Sequence, residues 1–204
     1  MSFLTMLWTE LSDLFSFFVT IAFLQNVVLT TSFGSSIMLH VVRKPKTIWL
    51  FTAMLTGFSV LTALIAYPLD RVCGTAITNF WRPLMIVGIT VVQYIVAHLV
   101  LRRWFPTLYR RIGHSLHLAA FNNLVIGIAL ITNVQFTANL GATIGLSVGA
   151  CLAFGLLTWI TAEGIERLDN PDIPKAFRGM PATLVYIGLV ALALMGFSSN
   201  FSLI

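Results

Sequence analysis

The sequence predicts an all-α membrane protein, with six transmembrane helices arranged as two inverted three-helix repeats. Three observations lead there. Of 204 residues, 58% are hydrophobic and only 9% are charged. The charged residues are spaced so that stretches 14–42, 47–69, 83–101, 112–162 and 179–204 carry none. Short polar motifs recur a little under a hundred residues apart. An ordinary soluble domain is about a quarter charged, so twelve Lys and Arg with seven Asp and Glu cannot wet a globule of this size. The composition excludes a soluble enzyme, a disordered chain and a disulfide scaffold. It leaves one membrane domain covering residues 1–204.

Each element follows from the length of an apolar stretch. A bilayer-crossing helix needs about 20 apolar residues. Residues 1–9 hold no basic side chain, and Glu10 and Asp13 are acidic. The N-terminus therefore does not read as a cleavable signal, and the first stretch is expected to remain as a helix. Stretch 112–162 is too long for one span and divides at the uncharged polar turn Asn133-Val-Gln-Phe-Thr-Ala-Asn139. The expected helices are about 14–36, 48–69, 83–101, 113–133, 140–162 and 181–201. Without water to pair backbone groups, each must be helical or shielded by protein.

The net charge of +5 reads as topology, not as nucleic-acid binding. Arg43, Lys44 and Lys46 follow helix 1; Arg102, Arg103, Arg110 and Arg111 follow helix 3; Arg167, Lys175 and Arg178 follow helix 5. Only Arg71 and Arg82 are assigned to the opposite side. The bias makes those three loops cytoplasmic and puts both termini outside the cytoplasm, in a multi-pass plasma (inner) membrane protein.

The six spans divide into halves of about 14–101 and 113–201. Gln25-Asn26-Val-Val-Leu29 in helix 1 is echoed by Asn122-Asn123-Leu-Val-Ile126 in helix 4, and Arg82-Pro83 before helix 3 by Arg178-Gly-Met-Pro181 before helix 6. Halves of three spans must enter the membrane in opposite directions. In such inverted repeats, sites lie near the midplane on the pseudo-two-fold axis. Helices 1 and 4 are expected to meet there, bringing Asn26 and Asn123 together, with interruptions permitted near Gly34 and Gly127.

Polar side chains inside spans are the functional candidates. No Asp, Glu, Lys or Arg is expected in the middle of a helix, which argues against a carboxylate proton relay. His98, His114 and His117 read as interfacial side chains. The Ser and Thr of helix 1 can bond to their own helix carbonyls, but buried amides need outside partners. Asn26, Ser36, Asn122 and Asn123 are therefore the ligand-binding candidates, set against plain interhelical hydrogen bonding. Cys73, in the loop after helix 2, and Cys151, in helix 5, form no metal-spaced motif. In helix 5, Gly141, Gly145 and Gly149 share one face. They point to close helix packing within the fold, in preference to an interface between protomers. There is no nucleophile–base pair, phosphate loop or metal cluster, and no catalytic residue is assigned.

Beyond these patterns, the chain resembles the integral membrane subunits of the Rnf and Nqr complexes, which are ion-pumping electron-transfer assemblies. The likeness rests on Gln25-Asn-Val-Val-Leu29, Pro106-Thr-Leu-Tyr-Arg110 with Gly113, Asn122 with Gly127, Glu166-Arg-Leu168, Ile173-Pro174 followed by Phe177-Arg-Gly179, and Met195-Gly-Phe-Ser198. It covers most of the chain in order. The resemblance implies six helices in inverted halves, and a cysteine in each of helices 1 and 4. With two more from a sister subunit, these would hold a binuclear iron–sulfur cluster at the midplane. Those positions fall here at Ser36 and Asn123, neither of which supplies the thiolate that iron needs.

The expectation is a diverged Rnf/Nqr-like membrane subunit, associated with transmembrane electron transport and holding no cofactor or metal of its own. The alternative is a stand-alone homo-oligomeric carrier for a small polar or cationic solute, and a third reading is a scaffold. Expected partners are the lipid bilayer and either further copies or a sister membrane subunit, with no nucleic acid. Reporter fusions at residues 45, 107 and 170 should all register as cytoplasmic; an outside signal at 107 would overturn the topology.

Overall fold

The structure is a computed structural model that describes residues 3–24, 34–42, 47–73, 75–135, 140–168, 174 and 178–199. These residues form eight α-helices and one π-helical segment. The α-helices are α1 (Phe3–Val19), α2 (Ser35–Val41), α3 (Ile48–Cys73), α4 (Thr75–Trp104), α5 (Pro106–Ala120), α6 (Asn123–Gln135), α7 (Leu140–Leu168) and α8 (Met180–Ser199). The π-helical segment, Thr20–Leu24, follows α1 directly. Four stretches are long and apolar enough to cross a membrane: Ile48–Leu69, Trp81–Trp104, Ile112–Thr132 and Leu140–Leu168.

The observed helices are longer than the apolar stretches alone suggest. The first begins at Phe3, so Glu10 and Asp13 lie within α1 and not ahead of it. Helices α3 and α4 nearly meet, with only residue 74 between them. Arg71 and Cys73 therefore belong to α3, and Arg82 is the eighth residue of α4, instead of lying in a loop.

The core lies where α3, α6 and α7 pack against one another, with Leu55, Leu124, Ile128 and Phe154 fully buried. Helix α7 is the most enclosed, and its glycines explain how. A Cβ on Gly141 would strike the Glu10 carbonyl, and one on Gly145 the Leu14 carbonyl. One on Gly149 would stand 2.9 Å from the Phe18 carbonyl. Both series advance in steps of four, so α1 and α7 run parallel in register, backbone against backbone. The small-residue face is therefore a packing seam inside the fold. The Gly141 N–H donates to Glu10 Oε2 at 2.6 Å, placing a carboxylate on the first turn of α7, where the helix dipole favours it.

Helix α4 is the opposite case. Leu84, Val92, Ile95, Val96 and Leu99 are exposed, and Trp81 and Trp104 stand exposed at the two ends of its apolar span. Those 24 residues cover roughly 36 Å, enough to cross a bilayer with a tryptophan at each interface. Several polar groups turned inward are satisfied by helix backbone or by each other. Thr52 Oγ1 donates to Ile48 O, Thr158 Oγ1 to Phe154 O and Ser147 Oγ to Thr143 O. Thr62 Oγ1 lies 2.8 Å from Gln93 Oε1 across α3 and α4.

Arg82, expected in a loop, lies near the start of the apolar span Trp81–Trp104. It is 6% exposed, and its guanidinium donates to the Ala129 carbonyl at 2.9 Å and the Leu130 carbonyl at 3.3 Å. It thus meets two backbone carbonyls near the middle of α6.

Gly145→Leu should destabilise the protein by about 1–3 kcal/mol or prevent folding, because even its first carbon meets the α1 backbone. Gly188→Leu, at a site with nothing within 4 Å, should melt like wild type in detergent micelles. Equal melting temperatures for the two variants would refute the seam.

Candidate functional site at the helix breaks

Two of the apolar stretches are interrupted. The first passes from α1 into the π-helical Thr20–Leu24 and resumes as α2 at Ser35, preceded by Gly34 with φ +81°. A left-handed residue cannot continue a helix, and glycine takes that conformation at least cost. The second leaves α5 at Ala120 and resumes as α6 at Asn123. That break falls at Phe121 and Asn122, not at Gly127, which is helical and buried.

Asn122 makes the second break possible. Its Oδ1 accepts a hydrogen bond from the Leu124 N–H at 3.0 Å, and its own carbonyl accepts from the Val125 N–H at 3.0 Å. It is therefore the N-cap of α6, satisfying donors that a helix start leaves open. The residue is fully buried, and its Nδ2 has no hydrogen-bond partner among the described residues.

The breaks meet. A Cβ on Gly34 would stand 3.3 Å from Asn122 Oδ1 and 3.3 Å from the Phe154 ring of α7. Phe154 in turn faces Phe51 of α3, with ring centroids 6.0 Å apart. Glycine at 34 thus serves both the backbone turn and the close approach to the capping amide.

Of the residues singled out from sequence, Asn122 lies at this junction. Asn123 is its neighbour but is exposed. Ser36 is in the first turn of α2, two residues beyond Gly34, with its side chain outside the described residues. Asn26 lies wholly outside them. His98 is half-buried, its Nδ1 3.5 Å from the Tyr109 hydroxyl. His114 and His117 are exposed on α5 with rings 5.8 Å apart. Cys151 is buried against Ser59 and Thr56. Gly34 was expected as a point of interruption, whereas Phe154 at the junction, and Arg82 against α6, escaped the sequence reading. The Arg82-Pro83 pair was visible, but its depth was not.

The donor that the structure describes at the junction is the neutral amide of Asn122, and the neighbouring sequence positions Ser36 and Asn123 are also uncharged. These do not fit a cluster that requires anionic sulfur. Among the described residues, no group of three or more His, Cys, Asp or Glu could hold a metal ion.

The architecture defines a multi-span helical membrane protein with interrupted helices that meet inside the bundle. The sequence profile described as "Rnf-Nqr subunit, membrane protein" matches residues 14–200. The chain belongs to the Rnf-Nqr family of membrane subunits. It is similar to the A-type subunit of the ion-translocating oxidoreductase complex of Histophilus somni (strain 2336), at 34% identity over 88% of this chain and 93% of that one. The protein of the same name from Photorhabdus laumondii is 32% identical over 92% of this chain and 97% of its own. The corresponding component of the Na(+)-translocating ferredoxin:NAD(+) oxidoreductase complex of Acetobacterium woodii is 29% identical over 88% and 94%.

Asn122→Ala should lower stability by about 1 kcal/mol through loss of the cap, and Asn122→Ser, which keeps a capping oxygen, by less. Asn123→Ala, at an exposed position, should stay within about 0.5 kcal/mol of wild type. Denaturant unfolding in micelles measures all three; a Ser variant no better than Ala would remove the capping role.

Proposed function

We propose that this chain is a diverged membrane subunit of an ion-translocating oxidoreductase assembly of the Rnf/Nqr type, one that holds no iron–sulfur cluster of its own. Relatives carrying the name of such a complex cover nearly all of the chain. The observation that carries the reading is the junction of Gly34 with Asn122, because it joins the two helix breaks beside Ser36 and Asn123. At this junction the chain supplies a sealed crossing of two broken helices, and the exposed Asn123 offers an amide to a sister membrane subunit.

The fold on this reading is six spans in two inverted halves, with both termini outside the cytoplasm. Several contacts support it. The broken stretch is the first of each half. Helix α1 packs on α7 as α5 and α6 pack on α3, while α3 and α7 pack on each other, as exchange of two halves requires. The parallel run of α1 and α7 needs an odd number of crossings between them, which α3, α4 and the α5–α6 pair supply.

A second reading, a homo-oligomeric carrier, is favoured by one observation. The buried Nδ2 of Asn122 lacks a partner among the described residues, and a small polar solute with an acceptor oxygen would satisfy it. Saturable uptake by the purified protein alone in liposomes would select this reading. Co-purification with flavin- or iron-containing partners would select the first.

The protein purified alone and anaerobically should contain no stoichiometric iron or acid-labile sulfide and show no cluster absorbance. Neutral oxygen and amide donors do not replace thiolate in such a site. Stoichiometric iron and sulfide that disappear in Cys73→Ser or Cys151→Ser would prove the ligands to be elsewhere and return an electron-carrying role to this chain.

A further inference from the structure

Of the four stretches able to cross a membrane, Trp81–Trp104 of α4 is the least enclosed. Val92, Ile95, Val96 and Leu99 are each half exposed or more. With 3.6 residues per turn they share one sector of the helix, and the buried Ile86 and Thr90 lie on the other side. In a chain that spans a bilayer, such a ridge faces lipid. Val92 lies roughly 16 Å from Arg103 along the axis. A hydrocarbon core of about 30 Å has nearly that half-thickness, so the ridge is as long as one leaflet.

The same face ends in two arginines. Arg103 stands one turn beyond Leu99 and Arg102 two turns beyond Ile95, so they bracket the ridge, and both are exposed. A third cation comes from α5. The rings of His98 on α4 and Tyr109 on α5 have centroids 5.2 Å apart. Arg110, exposed and next after Tyr109, therefore reaches the same rim as Arg102, one turn beyond His98. No Asp or Glu occurs in 71–162, so α4 and α5 contain none. Among the described residues no carboxylate pairs with these three arginines. The occupant of this face needs hydrocarbon along its length and negative charge at its end. A soluble acidic protein would leave the ridge bare, and a zwitterionic lipid would bring no net charge to the arginines.

We propose that the rim formed by Arg102, Arg103 and Arg110 binds the headgroup of an anionic phospholipid whose acyl chains run down Leu99, Ile95 and Val92. Guanidinium groups bond phosphate oxygens through paired N–H donors. Arginine stems lie along apolar surface while their charged heads reach the interface, and clusters of basic residues at a helix end attract anionic lipid. The site lies on the lipid-facing side of the bundle and rests on neither reading of the helix breaks.

Tryptophan fluorescence tests the site in place. All five tryptophans, Trp8, Trp49, Trp81, Trp104 and Trp159, are more than half exposed, so replacement by Phe should spare the core. Two full-length variants keep one tryptophan each: Trp104 at the arginine end of the span, or Trp81 at its other end. Each is reconstituted in phosphatidylcholine vesicles, and phosphatidylglycerol or phosphatidylcholine with brominated acyl chains is added in rising proportion. Bromine quenches a tryptophan that its lipid touches, so the two quenching curves give the local preference between the lipids. At Trp104 phosphatidylglycerol should be preferred about fivefold, and at Trp81 the two should compete evenly. Arg102→Gln/Arg103→Gln should abolish the preference at Trp104, Arg110→Gln should reduce it, and Arg167→Gln on α7 should leave it unchanged. An unaltered melting temperature shows that the arginine variants remain folded. Even competition at Trp104 overturns the site. So does a preference that survives loss of Arg102 and Arg103, or one equally strong at Trp81. A rim that shows no lipid preference but retains an acidic soluble protein through the same arginines also overturns it.

Discussion

Inside a bilayer a backbone that leaves the helix cannot turn to water, so each freed N–H and C=O must be satisfied by protein. Two interruptions in this chain come together and are closed against one another. Asn122 caps the start of α6 with its side-chain oxygen, and the other break passes so close at Gly34 that a Cβ there would stand 3.3 Å from that same oxygen. Much of the surrounding packing answers to that contact. Phe154 of α7 closes the junction from one side, Phe51 of α3 backs Phe154, and the fully buried Leu124, Val125 and Ile128 of α6 fix the second half-helix behind its cap.

The close packing of α7 serves the same end. Its glycines admit the α1 carbonyls of Glu10, Leu14 and Phe18, and Gly155 admits Thr52 of α3. Helices that approach this closely exclude lipid and leave little room for polar groups without partners. Several hydroxyls are tied down locally: those of Thr52, Thr132 and Thr158 donate to carbonyls one turn back. Arg82, the costliest group to bury, donates to two carbonyls of the broken helix. The half-helix α6 is thus held at its start by an amide and along its later turns by a guanidinium.

Membership of the Rnf-Nqr family and the neutral junction belong together in the proposed function. A scaffold of broken helices can be retained while the side chains beside the breaks change, because backbone closure depends on Gly34 and Asn122 and not on their neighbours. Asn123, exposed next to the cap, is free of that structural duty. In the proposal it is the residue whose chemistry a partner surface meets.

By itself the sequence determined the class of protein, the apolar stretches and the glycine face. These depend on length, local composition and spacing, which are properties of the chain before it folds. Resemblance motifs spread along the chain carried the family in the same way. Other facts needed the tertiary structure: which residue breaks the fourth stretch, how deep Arg82 lies, and which helix fills the glycine face. A helix end at Asn122 instead of Gly127 depends on a cap that gains its worth from burial against Gly34 and Phe154. Arg82 reads as a loop residue until α6 supplies carbonyls for its guanidinium. Each is a contact between residues far apart in sequence, and no local pattern encodes the partner.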